Sequence, residues 1–332
     1  MNRFILNIGL VALTCSCGEI TTPSKLKEPM DWTNDPRNLP GADSPLVLDP
    51  DALPDSGAAA KPVWTTYWYP ISEYGTARRP WAGELSPMEK YDTATGDSSM
   101  RGTGWEMSQY TYYGNVPWAG HCNGMAAAGT MVDEPRKEVW YNGVRFSVDD
   151  IKALLVESFQ GGGVVIGGRC NLSALTLGSD GRPIDAECRD TNPASFHIAV
   201  TNYLGRFKKP IIADSDSGYP VWNYAITSYR VRAKSKLSAS EAAQWMGMRS
   251  YPFNPAATSF SYYQMEAVYS GGFTKVYEYI LEMSGSSIVG GEWFRDSRVD
   301  HPDFLWRHTG PTAENPYLNL DVVRSIYEKS LL

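Results

Sequence analysis

Histidine is scarce in this chain, and basic clusters and long apolar runs are missing. Only four histidines stand among 332 residues, at positions 121, 197, 301 and 308, so chemistry that needs an imidazole has few groups to draw on. Lys and Arg number 30 against 37 Asp and Glu, a formal net charge of −7. No basic run exceeds Arg78-Arg79 or Lys208-Lys209, which argues against a nucleic-acid partner and against general attraction to an anionic membrane. The apolar run from Phe4 to Leu13 is too short to span a bilayer but has signal-peptide length. No internal repeat is visible.

Cysteine is also sparse, with five in all. Cys15 and Cys17 close the leader, residues 1–17. Ser16 before Cys17 suits a lipoprotein cleavage site, with Cys15 as the other position for a lipid anchor. A plain cleaved signal is the simpler alternative. Export to an oxidising compartment gives the remaining three cysteines a meaning. Cys170 and Cys188 bracket a segment containing the turn-former Ser-Asp-Gly and form the natural disulfide, worth about 3 kcal/mol for a loop of that size. Cys122 is then left over as a working thiol. Pairing of Cys122 with either of the other two would remove that role.

What is present sorts the chain into parts. Residues 18–62 are rich in Pro, Asp, Ser and Gly and read as a disordered tether, so the folded domain is expected over 63–332. Four helices are signalled. An Ala-rich one runs from Cys122 to about Val132. A second follows Ser147 as N-cap, a third begins at the Ser238/Glu241 capping box, and an amphipathic one closes the chain. Strands are expected over 164–168, 196–204, 210–214, 222–233, 260–270, 273–283 and 287–294, where β-branched and aromatic residues recur and 273–283 alternates by two. Helices first and an antiparallel sheet after is an α+β pattern rather than a run of βαβ units.

Cys122 sits where Pro-Trp-Ala-Gly-His turns into a helix. Unsatisfied N–H groups and a partial positive charge there lower a thiol's pKa and favour the nucleophilic thiolate. The thiolate wants an imidazole beside it. His121, one residue away, points elsewhere on a helix, and His301 and His308 lie in loop-like sequence. That leaves His197, at the start of the expected strand 196–204. An acceptor for its other nitrogen is expected on the next strand, with Asp214 first and Asp216 and Asn223 as alternatives. Thiol, imidazole and carboxylate in this order are the papain-like arrangement. It implies attack on an amide carbonyl and an acyl-enzyme, with the oxyanion held by the Cys122 N–H and a donor such as Asn115 or Trp118.

Four stretches also resemble motifs of the transglutaminase elicitor family, the Phytophthora-type cell-wall transglutaminases and their bacterial relatives. WAGHCNGMAAAG resembles the thiol motif and NPASFHIAVTNYLG the histidine motif. VWNYAITSYRVRA resembles the peptide that plants perceive, with Tyr224-Ala225 where the family has Gln-Pro. GGEWFRDSRVDHPDFLW resembles a C-terminal signature. The resemblance implies a papain-like core and protein-glutamine γ-glutamyltransferase activity, with a glutamine-bearing protein as donor and a lysine amine as acceptor. It marks Cys122, His197 and Asp214 as catalytic. The mechanism itself requires no cofactor; calcium enters through the resemblance alone, with no acidic cluster in the sequence to receive it. A secreted cysteine peptidase or amidase with the same triad, or a surface-anchored binding protein, are the competing expectations.

Overall fold

In the computed structural model, which describes residue 31 and residues 33–332, the described part opens with a long, largely irregular segment and the short strand β1 (Ser56–Ala58). Helices α1 (Pro87–Thr95), α2 (Arg101–Ser108), α3 (Tyr110–Tyr113) and α4 (Cys122–Met131) follow. The hairpin β2 (Val139–Tyr141) and β3 (Val144–Phe146) leads into α5 (Val148–Ser158) and β4 (Val164–Gly167). Next come α6 (Pro193–Val200), which runs on into a wider turn over Thr201–Arg206, then β5 (Ile211–Asp214), β6 (Asn223–Leu237) and α7 (Ala239–Trp245). Strands β7 (Ser259–Tyr269), β8 (Thr274–Ser284), β9 (Ser287–Trp293) and β10 (Phe304–Arg307) precede the last helix, α8 (Leu320–Leu331).

Helix starts follow their caps. Ser86, Ser147 and Ser238 each accept from the backbone N–H three residues on, and Glu89, Asp150 and Glu241 reach back to complete capping boxes. Asn192 caps α6 with Pro193 at its first position. The strands form one eight-stranded antiparallel sheet in the order β4-β10-β5-β6-β7-β8-β9, with β1 paired to Ser228–Arg230 of β6. The α+β class is as expected.

Alternation along the strands gives the sheet two different faces. Ile211, Ala213, Ile226 and Leu305 pack under α6 together with Phe196, Ile198 and Val200. Ile212, Ala225 and Trp306 turn the other way, into a core shared with α1, α4, α5 and α8. The small residues of α4 let it lie very close to its neighbours. A Cβ on Gly124 would come within 2.3 Å of the Val156 carbonyl of α5, and one on Gly129 within 2.1 Å of the Trp64 carbonyl.

Two expectations need correction. Residues 196–204 are helix α6 and its following turn, not a strand. Every residue of α6 is buried, so its sequence is apolar all round and lacks the one-sided stripe that separates a helix from a buried strand. Within 18–62, the described part is no tether. Leu39 and Leu53 are buried, the Leu39 carbonyl accepts from the Tyr203 hydroxyl, and the Pro54 carbonyl accepts from the Tyr229 hydroxyl. Its polar residues are caps and bridges rather than solvated spacers. Asp35 and Asp49 cap short turns, and Asn202 bonds both ways with the backbone of Val47. The leader with Cys15 and Cys17 lies outside the described residues.

Candidate active site

The turn before α4 is pinned from outside the helix. The Trp68 carbonyl accepts from the His121 N–H at 2.7 Å, and the Ala119 carbonyl from the Ile71 N–H at 2.9 Å. Gly120 lies flat against the Trp68 indole, where a Cβ would approach within 2.4 Å. The helix then begins at Cys122, which is only 6% exposed and packs among Tyr69, Met125, Ala153 and Val156, with Trp68 and Tyr224 at the edge. The Cys170–Cys188 disulfide is formed as expected, and Cys122 remains a thiol.

Strand β6 supplies the sulfur's polar contacts. The thiol donates to the Val221 carbonyl at 3.6 Å, and the Asn223 Nδ2 amide donates to Sγ, also at 3.6 Å. The Trp306 indole N–H donates to Asn223 Oδ1 at 2.8 Å. An indole nitrogen can only donate, so it fixes which end of the amide faces it and turns the N–H₂ end toward the sulfur. Asp214 is the cross-strand partner of Asn223. One carboxyl oxygen accepts from the Trp222 N–H at 2.8 Å, while Oδ2 is buried with no partner among the described residues. Burial pushes this carboxyl well above the ordinary range. Asp303 is pushed up to about 9 by burial and by the nearby charge of Asp214.

His197 does not join this group. Its helix, α6, packs on the face of the sheet carrying Ile211, Ala213 and Ile226, whereas the thiol meets Asn223 on the other face. The ring lies against Tyr263, and Nδ1 is 2.8 Å from the Tyr279 hydroxyl. Nε2 is buried without a partner among the described residues, and burial drives the imidazole down to about 3. The expected Cys122–His197 pair is therefore overturned by the α6 assignment: the same residues on a helix put the ring behind the sheet. Of the three acceptors considered, Asp214 and Asn223 share a rung of the β5–β6 ladder beside the thiol. Asp216 lies beyond that ladder and accepts from the Gly218 N–H.

The other imidazoles are engaged elsewhere. His308 Nε2 donates to the Gly161 carbonyl, and His301 Nδ1 donates to that of Ser297. His121 Nε2 is 2.5 Å from Glu106 Oε1 and 3.4 Å from Glu157 Oε1. Burial works against its charge, but the two carboxylates prevail and hold it up at about 10. Trp118 stands edge-on to Tyr219, with the Arg169 guanidinium over both rings. Trp68 and Trp222 meet edge to face. Trp306, which orients Asn223, is a functional residue that its sequence position did not identify. Its signal was a Trp within a motif already singled out.

Glu106, His121 and Glu157 are the group of ligating side chains, among the described residues, close enough together to hold one metal ion. Calcium, implied by the resemblance, does not fit them. It takes six to eight oxygen ligands, and this group offers an imidazole nitrogen in a buried site.

A thiol at a helix start, backed by an antiparallel sheet that turns an amide toward the sulfur, places the molecule among mixed helix-and-sheet proteins that present a cysteine at the head of a helix. More narrowly, the chain belongs to the transglutaminase elicitor family, whose model matches residues 103–323. Its fold is similar to that in the crystal structure of the GP42 transglutaminase from Phytophthora sojae. The TM-score is 0.72 at 24% identity, covering 86% of this chain and 94% of that one. No curated protein matches the chain.

Proposed function

We propose that the protein is a protein-glutamine γ-glutamyltransferase that forms its acyl-enzyme on Cys122. The reading rests on one observation above the others: the thiol begins α4 and receives the N–H₂ group of Asn223. Helix N–H groups and that amide favour the thiolate, and the same donors suit the oxyanion that forms when it attacks a carboxamide. Attack on the glutamine Cδ makes a C–S bond. Collapse breaks the C–N bond, and the leaving nitrogen departs as ammonia with the proton the thiol has given up. A primary amine then attacks the thioester, forms the new amide and returns a proton to the sulfur. Asp214, beside Asn223 and raised by burial well above the ordinary carboxyl range, is the group we assign to accept the thiol's proton as carboxylate and pass it to the leaving nitrogen in place of His197. The donor is a glutamine-bearing protein and the acceptor a lysine amine.

The choice of transfer over hydrolysis is supported by the thiol's 6% exposure and its aromatic border of Trp68, Tyr69 and Tyr224, which keep bulk water from the thioester. Export fits the Cys170–Cys188 disulfide. No helix among the described residues is long and apolar enough to cross a membrane.

The test is incubation of the protein with casein and a fluorescent primary amine, beside Cys122→Ala, with calcium and with chelator. Amine incorporation that vanishes in the variant is expected. Ammonia release or peptide cleavage by the unmodified protein without incorporation would replace the transferase with a hydrolase. The calcium arm reports whether the property implied by the resemblance holds for this chain.

A further inference from the structure

Beneath the turn that carries the thiol lies a second polar centre, which the acyl-transfer reading does not use. Glu106 comes from α2, Glu157 from α5, and His121 is the residue immediately before α4. All three are more than nine-tenths buried. Glu106 Oε2 and Glu157 Oε2 are buried with no hydrogen-bond partner among the described residues. Thr76 joins the same cluster, its hydroxyl donating to Glu157 Oε1 at 3.0 Å and its N–H to Glu106 Oε1 at 3.3 Å. The cluster packs directly on Gly75: a Cβ there would lie 1.8 Å from Glu106 Oε1 and 2.7 Å from His121 Nε2.

We propose that Glu106, His121 and Glu157 form a binding site for a divalent first-row transition metal of the zinc type. The orphaned oxygens are the first ground: Glu106 Oε2 and Glu157 Oε2 are buried with no hydrogen-bond partner among the described residues, which is costly away from water. A cation held by both carboxylates and the imidazole would occupy those oxygens. Spacing is the second. Ligands about 2.0–2.2 Å from a tetrahedral zinc stand roughly 3.4 Å from one another, and His121 Nε2 and Glu157 Oε1 are 3.4 Å apart already. Glu106 gives up its imidazole contact to join. One nitrogen and two carboxylates suit zinc, manganese or iron rather than calcium. Binding displaces the proton on His121 Nε2. The ion ties α2 and α5 to the turn before α4, so it is a structural clamp under the thiol and not a participant in the acyl transfer.

The experiment uses the whole protein, purified without added metal, measured by elemental analysis and titrated with zinc after chelation. About one zinc per chain, a melting temperature raised by zinc and lowered by chelator, and at least tenfold weaker binding in Glu157→Gln or Glu106→Gln are expected. Cys122→Ala keeps full zinc stoichiometry. Should both Gln variants fail to fold, the cobalt-substituted unmodified protein decides: nitrogen and oxygen ligation gives no thiolate-to-metal charge-transfer band. A protein that retains no metal and whose melting is unmoved by zinc overturns the proposal. So does zinc lost from Cys122→Ala but kept in Glu157→Gln, or a thiolate band in the cobalt spectrum. None of these readouts depends on amine incorporation, so the clamp and the transferase reading can fail separately.

Discussion

Asn223 carries more at the site than its size suggests, because both ends of its amide are committed. Trp306 holds the oxygen and the sulfur receives the nitrogen. Asn223→Ala removes the donor to the sulfur and leaves the indole N–H without its acceptor. Loss of a single oxyanion-type donor lowers kcat on the order of 10²-fold, and the unsatisfied indole costs about 1–3 kcal/mol. Amine incorporation measured beside urea unfolding separates the two effects. His197 makes the opposite prediction. Its ring sits behind the sheet against Tyr263 and Tyr279, so His197→Asn is expected to keep amine incorporation within about threefold, whereas a catalytic base contributes about 10²–10⁴-fold. The substitution shows instead in acid. The folded-state pKa of His197 lies near 3, below the ordinary value of 6.5, chiefly through burial. Stability from its neutral form is present above pH 6.5 and lost progressively as pH falls toward 3, at up to about 1.4 kcal/mol per pH unit. Acid unfolding of His197→Asn therefore loses that share of its slope, and an unchanged profile would contradict the burial described here.

At the scale of elements, the thiol's position depends on how closely α4 approaches α5. Gly124→Ala tests it. The added methyl gains about 1 kcal/mol of helix propensity over glycine, but its Cβ would stand 2.3 Å from the Val156 carbonyl, which is backbone and cannot swing aside. Overpacking costs about 1–3 kcal/mol, so denaturant unfolding should show net destabilisation, accompanied by slower amine incorporation as the thiol shifts against Asn223. The same elements show which parts of the fold could be read in the sequence. Strands β4 to β9 were legible because β-branched and aromatic residues recur along them and β8 alternates by two, and the capped helices α5 and α7 because their Ser N-caps stand in plain view. Helix α6 was not, since both sides of it are buried, although Asn192-Pro193 marked its start. The site divided along the same line. Cys122 could be placed from its helix start, but the imidazole was misassigned with its element, and Asn223 was weighed only as a support for it. Pairing across β5 and β6 and the reach of Trp306 are tertiary facts with no local signal.

At the scale of the whole molecule, the opening segment closes the sheet and the core under α6. Strand β1 pairs with Ser228–Arg230, beyond the point where β5 leaves β6 at Ile226. Without it that stretch of β6 is an open edge with unpaired N–H and C=O groups, and open edges invite aggregation. Leu39 and Leu53 would be removed from the core, and the hydroxyls of Tyr203 and Tyr229 would lose the carbonyls of Leu39 and Pro54. Burying one leucine contributes about 1.5–3 kcal/mol, and each buried hydroxyl left without a partner costs about 1–3 kcal/mol. Together these approach the net stability of an ordinary domain, about 5–15 kcal/mol. A chain beginning at Val63 is therefore expected to melt far below one beginning at residue 31, or to be recovered as aggregate. In the longer chain residues 35–62 should resist limited proteolysis as well as the sheet does. Rapid cleavage throughout 35–62 with unchanged melting would instead make the segment a tether and return the domain boundary to Val63.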